Sequence, residues 1–284
     1  VYTLLLTLVA LTFRGYVRGD KRLLGVGLGA LVLCKGALAL LWLLPLLDRR
    51  WRAITYGLAT IAGGIILAAP LIGLSPWWTY VQRLPDLFNQ PWTGVTAYQT
   101  VASFVHHMTR ADPTFNPVPL VDAAELAAPL STVLSLLLIS AAVAAGWVLT
   151  AADDLSAGWR RATRFALVAA LAVPLQPVGE EYHGVLLLAP VAVAVALLTG
   201  HLLSPVRRHL LLPPATLGIL LLASPLPFRS DRYRDGWHAL FAYPKLYGAL
   251  LLAGCFAAVL IAWPIRWPRP HSPLIDARRH HDPA

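Results

Sequence analysis

The sequence predicts an all-α fold, a polytopic bundle of transmembrane helices. Of its 284 residues, 57% are hydrophobic and only 13% are charged, whereas soluble chains average about 25% charged residues. Apolar runs that approach the roughly 20 residues of a bilayer-spanning helix recur along the chain. The formal charge of +9 is divided among small clusters between these runs. No basic stripe can form, so a nucleic-acid-binding protein is excluded as an interpretation.

The predicted membrane helices are eight apolar runs, residues 1–13, 23–47, 54–74, 129–151, 165–176, 184–203, 210–226 and 246–263. We expect residues 1–264 to form one transmembrane domain. Residues 265–284 are basic and contain several prolines, which predicts a disordered tail on the cytoplasmic leaflet. The first run begins at Val1 with no basic region or cleavage site before it. We interpret it as the end of a longer helix, in a chain that lacks its natural N-terminal part.

One long polar stretch, residues 75–128, interrupts the runs. Its aromatic residues Trp77, Trp78 and Tyr80 favour the headgroup layer of a membrane. We therefore expect an outer amphipathic segment with one or two surface helices and residues 89–94 as the turn between them. A plain interfacial belt is the alternative explanation of the same aromatic residues.

The distribution of positive charge predicts the topology. Sixteen Lys and Arg residues fall in loops on one side and six on the other, and the positive-inside rule makes the richer side cytoplasmic. Residues 23–47 carry basic clusters at both ends, which a single span cannot have. We expect a hairpin of two short helices that turns at Lys35 and Gly36 inside the membrane and returns. Residues 75–128, 177–183 and 227–244 then lie together on the outer side.

Lys35 is the first candidate site residue. A lysine near the middle of a span costs about 2.5–3.5 kcal/mol, and an anionic partner would offset that cost. A lipid phosphate and a buried carboxylate are the two candidates for this partner. A water-filled crevice around the amine is the alternative.

The second candidate region is the outer turn before residue 184, which holds Glu180, Glu181, Tyr182 and His183. Two carboxylates, a phenol and an imidazole at the membrane edge indicate a functional site. His183 suits a general base or a phosphate contact, and Glu181 suits a group that orients or deprotonates an acceptor hydroxyl. A solvated turn with its charges in water is the alternative.

The third candidate region is an outer loop with Arg229 and Arg232, whose guanidinium groups match phosphate geometry. An ordinary charged loop is its alternative. No metal site and no cofactor are predicted, because the His pairs lack a third ligand at metal spacing and the two cysteines lie inside apolar runs. The sequence also has no glycine-rich phosphate loop and no cytoplasmic loop large enough for a nucleotide sugar. A group donor is therefore expected to arrive dissolved in the membrane.

Three motifs carry a family resemblance. Residues 29–36, with the sequence Asp-Arg-Arg-Trp-Arg at 48–52, resemble the lysine-bearing hairpin of polytopic GT-C class glycosyltransferases. Residues 89–94, Asn-Gln-Pro-Trp-Thr-Gly, are similar to the Asn-Gln-Ser-x-x-Gly signature of glycosyltransferase family 87. Residues 177–183 are similar to the Ser-Pro-x-Ser-Trp-(Asp/Glu)-His-His stretch of that family. The three motifs follow the family order, and the resemblance covers Gly25 to about Leu203.

The resemblance implies a transferase of the bacterial plasma membrane. It would move a sugar, with mannose as the first choice, from a polyprenyl-phosphate carrier to a lipid or glycan acceptor on the outer face. His183 and Glu181 are the expected catalytic residues. The donor phosphate is assigned to Lys35, Arg229 and Arg232, and the sugar or acceptor to Asn89, Gln90, Glu180 and Tyr182.

The sequence also departs from the family pattern. GT-C enzymes place a catalytic aspartate in the first outer loop, whereas no acidic residue precedes Asp20 here, and Asp20 falls on the cytoplasmic side. The chain is then either a fragment without its first helices or an inactive relative. The rival function is a non-catalytic membrane protein, either a pseudoenzyme subunit or a lipid or sugar transporter. A transporter predicts paired broken helices, and the sequence indicates one, at Lys35.

Overall fold

The computed structural model describes residues 1–84, 86, 95–149, 155–177, 179, 181–200, 202–226 and 230–261. Within these residues the fold is all-α, as predicted, and its helices are α1 (Tyr2–Arg18), α2 (Lys21–Cys34), α3 (Leu43–Leu47), α4 (Trp51–Ile72), α5 (Ser75–Arg83), α6 (Val101–Thr109), α7 (Ala127–Val143), α8 (Ala157–Ala172), α9 (Leu188–Thr199), α10 (Pro205–Ala223) and α11 (Pro244–Leu260). Four helical stretches of the described chain are long and apolar enough to cross a membrane, or five if one bent pair counts as a span. The chain is therefore a multi-pass membrane protein.

Shorter helical turns connect these helices. The 3₁₀-helical stretches are Gly36–Trp42, Ala124–Leu126, Glu181–Leu187, Asp231–Tyr233 and Gly236–Ala242, and Ala144–Val148 extends α7 as a π-helix. Each of the eight predicted apolar runs coincides with one or more of the observed helices.

Helices α1 and α2 are joined by a tight turn that the sequence encodes. Gly19 ends α1 in the left-handed conformation, with φ of 77°, which glycine adopts without steric cost. Asp20 then caps α2, because its carboxylate accepts the backbone N–H groups of Arg22 and Leu23, each at 3.0 Å. We call the end of the bundle at this turn the basic face, and the opposite end the Lys35 face.

Residues 23–47 form the predicted hairpin. Helices α2 and α4 run parallel, because a Cβ on Gly25 would lie 2.3 Å from the Ala53 carbonyl and a Cβ on Gly29 would lie 2.5 Å from the Gly57 carbonyl. Both helices therefore start at the basic face. The chain between them must return from the Lys35 face, so the predicted turn at Lys35 is confirmed. Small residues one turn apart allow this close approach of two helices in a membrane.

Helix α8 is the centre of the bundle. Its residues Phe165 to Ala172 are all buried. On one side Phe165 packs against α1, with ring centroids 5.2 Å from Phe13 and 6.3 Å from Tyr16. On the other side Leu167 and Leu171 pack in a cluster with residues of α9, α10 and α11. The bundle is thus two groups of helices joined through α8.

The three segments predicted to share the outer side do meet at the Lys35 face. The Gln99 N–H donates to the Gly179 carbonyl at 3.0 Å. The Gln99 side-chain amide donates to the Ala242 carbonyl at 2.9 Å. Gln99 therefore joins residues of all three predicted outer segments, through its backbone and its side chain.

Two expectations need correction. Helix α5 has no buried residue, as expected of a surface helix, but α6 does not lie on the surface, because seven of its residues are buried. It packs beneath residues 239–246. The structure also has a second bent helix pair, a broken span or a re-entrant loop, with an angle of 58° between Gly236–Ala242 and Pro244–Leu260. The bend falls before Pro244, since a proline disfavours helical geometry in the residue that precedes it.

Candidate functional site

Lys35 lies at the break after α2, at the end of the bundle opposite the basic face. Lys35 is extended, with φ of −167° and ψ of 111°, and its backbone N–H still donates to the Leu31 carbonyl at 2.8 Å. Its Nζ donates to the Tyr2 hydroxyl at 3.1 Å. The same Nζ lies 5.3 Å from the centroid of the Tyr2 ring and 5.5 Å from that of the Tyr182 ring. Two phenol faces therefore flank the cation.

His183 lies against the same rings. The rings of Tyr182 and His183 stack with their centroids 4.9 Å apart. Tyr2 meets both edge-on, 5.0 Å from Tyr182 and 5.9 Å from His183. His183 is 2% exposed, whereas Tyr182 is 43% exposed. We call Tyr2, Lys35, Tyr182 and His183 the Lys35 cluster.

A close-packed turn holds the chain just before this cluster. A Cβ on Gly179 would lie 2.7 Å from Cγ2 of Thr100 and 3.1 Å from the Val173 carbonyl oxygen, so only glycine fits there without displacement. The Val101 N–H donates to the Pro174 carbonyl at 2.9 Å. These contacts fix the end of α8 and thereby the start of the 3₁₀ stretch that carries Tyr182 and His183.

The chemistry of the Lys35 cluster suits an anion. Among the described residues no carboxylate forms an ion pair with Lys35, and the groups there that contact its amine are a hydroxyl and two ring faces. A phosphate would add the missing negative charge at this site. An imidazole at contact distance is the side chain best suited to exchange a proton near neutral pH. The cluster can therefore hold an anionic group beside a proton acceptor.

The structure brings together three of the predicted site residues, Lys35, Tyr182 and His183. Glu181 begins the same 3₁₀ stretch, but its side chain lies outside the described part of the structure. Asn89, Gln90, Glu180 and Arg229 also lie outside the described residues.

Arg232 is the remaining predicted site residue in the described part of the chain. It is exposed in the 3₁₀ turn Asp231–Tyr233. No hydrogen bond or ion pair within the described ranges joins it to Lys35. The phosphate role assigned to it from sequence stays a prediction.

Sequence reasoning missed Tyr2, which is the hydrogen-bond partner of Lys35. Its signal was present, because the predicted topology puts the start of the first apolar run at the same side as the turn at Lys35. Tyr80 of α5 was assigned only to the interfacial belt, yet a Cβ on Gly36 would lie 3.2 Å from its hydroxyl oxygen. Helix α5 therefore covers the turn that carries Lys35.

A polar network at the basic face anchors the returning end of the hairpin. Asp48 forms ion pairs with Arg50 at 3.0 Å and with Arg164 of α8 at 3.4 Å. It also accepts the indole N–H of Trp147 at 2.8 Å. Arg50 in turn lies 4.6 Å from the centroid of the Tyr16 ring. The returning end of the hairpin is thus tied to α1 and α8.

An apolar groove of about 410 Å³ opens between α1 and α9. Its walls include Leu6, Ala10 and Phe13 from α1 and Leu188 and Ala192 from α9. Leu6 follows Tyr2 by about one helical turn, and Leu188 directly follows the stretch that carries His183. The groove therefore begins beside the Lys35 cluster and extends along the bundle toward the basic face.

The fold and this site define a class: a polytopic helical membrane protein with a cationic and aromatic cluster at one face and an apolar groove next to it. Comparison with known families assigns the chain within this class. A sequence model of glycosyltransferase family 87 matches residues 1–177. The chain belongs to this family, and it is a membrane glycosyltransferase that takes a sugar donor and an acceptor. The matched residues include the Lys35 hairpin but end before Tyr182 and His183. No curated protein and no solved structure matches the chain.

Proposed function

We propose that this glycosyltransferase moves a sugar, mannose in the first instance, from a polyprenyl-phosphate carrier to a lipid or glycan acceptor at the outer face of the bacterial plasma membrane. The observation that carries the proposal is the Lys35 cluster at the mouth of the apolar groove. A polyprenyl phosphate combines the two chemistries that these neighbouring surfaces accept.

The phosphate half of the donor fits the cluster. The Lys35 amine lies 3.1 Å from the Tyr2 hydroxyl, so both are placed to donate to phosphate oxygens. A lysine held at an apolar boundary gains most from a permanent negative partner, because charge pairs are stronger where water is scarce. Arg232, and Arg229 beside it in sequence, would approach the same phosphate from the outer loop.

The isoprenoid half fits the groove between α1 and α9. The groove is lined by alanine, leucine and phenylalanine side chains that offer a methyl-studded surface to a branched hydrocarbon chain. A carrier seated there would place its phosphate near Tyr2 and Lys35. A water-soluble nucleotide sugar would leave this apolar surface unused.

The reaction needs few groups from the protein. An oxygen of the acceptor hydroxyl attacks the anomeric carbon, the bond from this carbon to the phosphate oxygen breaks, and polyprenyl phosphate leaves. Lys35 stabilises the charge that develops on the leaving phosphate. His183 accepts the proton of the acceptor hydroxyl or contacts the phosphate, and Glu181 supports it. Tyr182, with Asn89, Gln90 and Glu180, would contact the sugar or the acceptor.

A transfer assay tests this proposal. The protein, expressed with its natural N-terminus and placed in proteoliposomes, is given radiolabelled polyprenyl-phosphate mannose and an acceptor lipid, and a nucleotide sugar replaces the donor in a parallel arm. We expect transfer only from the lipid donor and a loss of at least about a hundredfold in His183→Ala. The exposed His238→Ala is the matched control. Equal transfer by the His183 variant, or transfer from the nucleotide sugar alone, would contradict the proposal.

A further inference from the structure

A second cavity, of about 310 Å³, lies on the same face as the Lys35 cluster but between different segments. We call it the outer cleft. Its volume falls in the range of about 300–1,000 Å³ that is typical of small-ligand sites. The polar and aromatic side chains that line it are Thr96, Thr114, Phe115, Ser230, Asp231 and Arg234.

Hydrogen bonds fix the walls of the outer cleft. Asp112 accepts the N–H groups of Thr114 and Phe115 at 2.8 and 2.9 Å. On the opposite wall, the carbonyl of Arg234 accepts the Nε2–H of His107 at 2.8 Å, and His107 is 1% exposed. A site held in this way loses little conformational entropy when a ligand binds.

The lining groups suit a neutral polyhydroxylated ligand. Three hydroxyl groups, from Thr96, Thr114 and Ser230, accompany one carboxylate and one guanidinium. Phe115 is 38% exposed and offers an apolar face, against which the C–H face of a pyranose ring can pack.

The charges of the cleft argue against a phosphate ligand. Arg234 lies 3.8 Å from Asp231 and 3.7 Å from Asp235, so two carboxylates already balance its charge. The exposed pair with Asp231 is weak and can open at low cost to bind adjacent hydroxyl groups of a sugar.

A short chain of hydrogen bonds connects the outer cleft to the donor side. The Thr96 carbonyl accepts the Gln99 side-chain amide at 2.7 Å. The backbone N–H of Gln99 donates to Gly179 at 3.0 Å, in the turn that precedes Tyr182 and His183. A ligand in the cleft is therefore held by the same framework that positions the Lys35 cluster.

We propose that the outer cleft binds the glycan part of the acceptor, an inference that rests on the proposed transfer reaction. Phe115 packs against one sugar ring, and Asp231 and Arg234 bind its hydroxyl groups. The acceptor is thereby narrowed to one that carries a neutral glycan.

Binding of α-linked mannotriose to the full chain in lipid nanodiscs tests the inference without any donor. We expect Phe115→Ala and Asp231→Asn to weaken binding by at least about tenfold. The matched controls, Phe241→Ala and Asp122→Asn, change exposed residues outside the cleft and should bind as the wild type does. Thermal unfolding of each variant shows that the fold is intact.

Two outcomes would overturn the cleft assignment. One is unchanged mannotriose binding in both cleft variants, and the other is displacement of mannotriose by inorganic phosphate. A failure of the transfer reaction looks different, because mannotriose would still bind and the cleft variants would still weaken it, while no sugar moves from the lipid donor.

Discussion

The contacts of Lys35 with Tyr2 show how a single cation is stabilised at the apolar end of a helical bundle. The amine has one hydrogen bond, to the Tyr2 hydroxyl, and two ring faces within 5.5 Å. A cation over a ring contributes about 0.5–2 kcal/mol, depending on how far water is excluded. Within the described part of the chain the amine has no carboxylate partner, as expected of a site that binds an anion.

Two variants of Tyr2 distinguish the contribution of its hydroxyl group from that of its ring. Tyr2→Phe keeps the ring face but removes a hydrogen bond to a charged group, which contributes about 1.5–3 kcal/mol. We expect the KM for the lipid donor to rise by about tenfold or more, with kcat changed less. Tyr2→Ala also removes the edge contacts with Tyr182 and His183, so KM should rise and kcat should fall. Steady-state transfer kinetics measure both, and an identical effect of the two variants would contradict the assigned role of the hydroxyl.

Sequence patterns pointed to candidate site residues where a residue broke a pattern. Lys35 interrupts an apolar run, and Tyr182 and His183 crowd a short turn, so both positions were identified. Tyr2 was missed because an aromatic residue in an apolar helix breaks no pattern. Only the three-dimensional neighbourhood shows that its hydroxyl meets the amine of Lys35, 33 residues further along the chain.

At the scale of elements, the parallel packing of α2 and α4 depends on glycine. A Cβ on Gly29 would lie 2.5 Å from the Gly57 carbonyl and 2.7 Å from Cβ of Thr60. Backbone lies on the opposing side of this contact, so no side-chain rotation can relieve it.

We therefore expect Gly29→Ala to lower the free energy of unfolding by about 1–3 kcal/mol, as overpacking does in tight interfaces. Gly63→Ala is the matched control in α4, because nothing lies within 4 Å of a Cβ at that position. The control should be neutral or slightly stabilising, since alanine is the better helix former. Unfolding in detergent with increasing denaturant measures both. Equal stability of the two variants would show that α2 and α4 are not in close contact.

Helix α6 is fixed by a network that depends on neutral histidine. Burial lowers the pKa of His107, and the hydrogen bond to the Arg234 carbonyl and the charge of Asp235 offset that effect in part. Burial, with the charge of Arg110, also lowers the pKa of His106. An unfolded histidine binds a proton near pH 6.5. Below that pH the unfolded state therefore takes up more protons than the folded state does.

The stability of the α6 region should thus fall as the pH drops from about 6.5 toward the lowered pKa values, and level off below them. Hydrogen exchange of α6 measures this at about pH 7.5 and about pH 5.5. His107→Gln should reduce the pH dependence, and the exposed His238→Gln should leave it unchanged. A pH-independent exchange rate in the wild type, after correction for intrinsic chemistry, would contradict the role given to these histidines.

The burial of α6 could not be predicted from its own sequence. Its apolar positions fit a surface helix as well as a packed one, and its polar residues suggested water. The partner that buries it is the segment around Tyr243, more than a hundred residues away. The Tyr243 hydroxyl lies 3.0 Å from Nδ1 of His107. The second bend, before Pro244, escaped prediction because the apolar run was placed only from Leu246 onward.

At the scale of the whole molecule, the charge count and the bounds of the apolar runs predicted the hairpin and the meeting of three outer segments. The positive-inside bias acts on each loop separately. An apolar run with basic clusters at both ends therefore indicates a chain that turns in the membrane and returns to the same side. The contacts of Gln99 with Gly179 and Ala242 show that these three segments meet, and the assignment of the Lys35 face to the outside is part of our proposal.

Labelling of single cysteines tests that orientation. In a background with Cys34→Ala and Cys255→Ala, Trp237→Cys lies in the outer segment and Lys21→Cys at the basic face. We expect a membrane-impermeant maleimide to modify the cysteine at position 237 in intact cells. The cysteine at position 21 should react only after permeabilisation. The reverse pattern would invert the proposed topology and place the Lys35 cluster in the cytoplasm.

Binding of a short-chain polyprenyl phosphate without a sugar is the most direct test of the Lys35 cluster as a donor-phosphate site. The comparison is between the wild type, Lys35→Met and the control Lys21→Met, each in nanodiscs, with thermal unfolding measured in parallel. We predict at least about tenfold weaker binding in Lys35→Met alone, with equal or higher thermal stability because a charge has been removed from the apolar end of the bundle. Wild-type affinity in Lys35→Met would contradict the account.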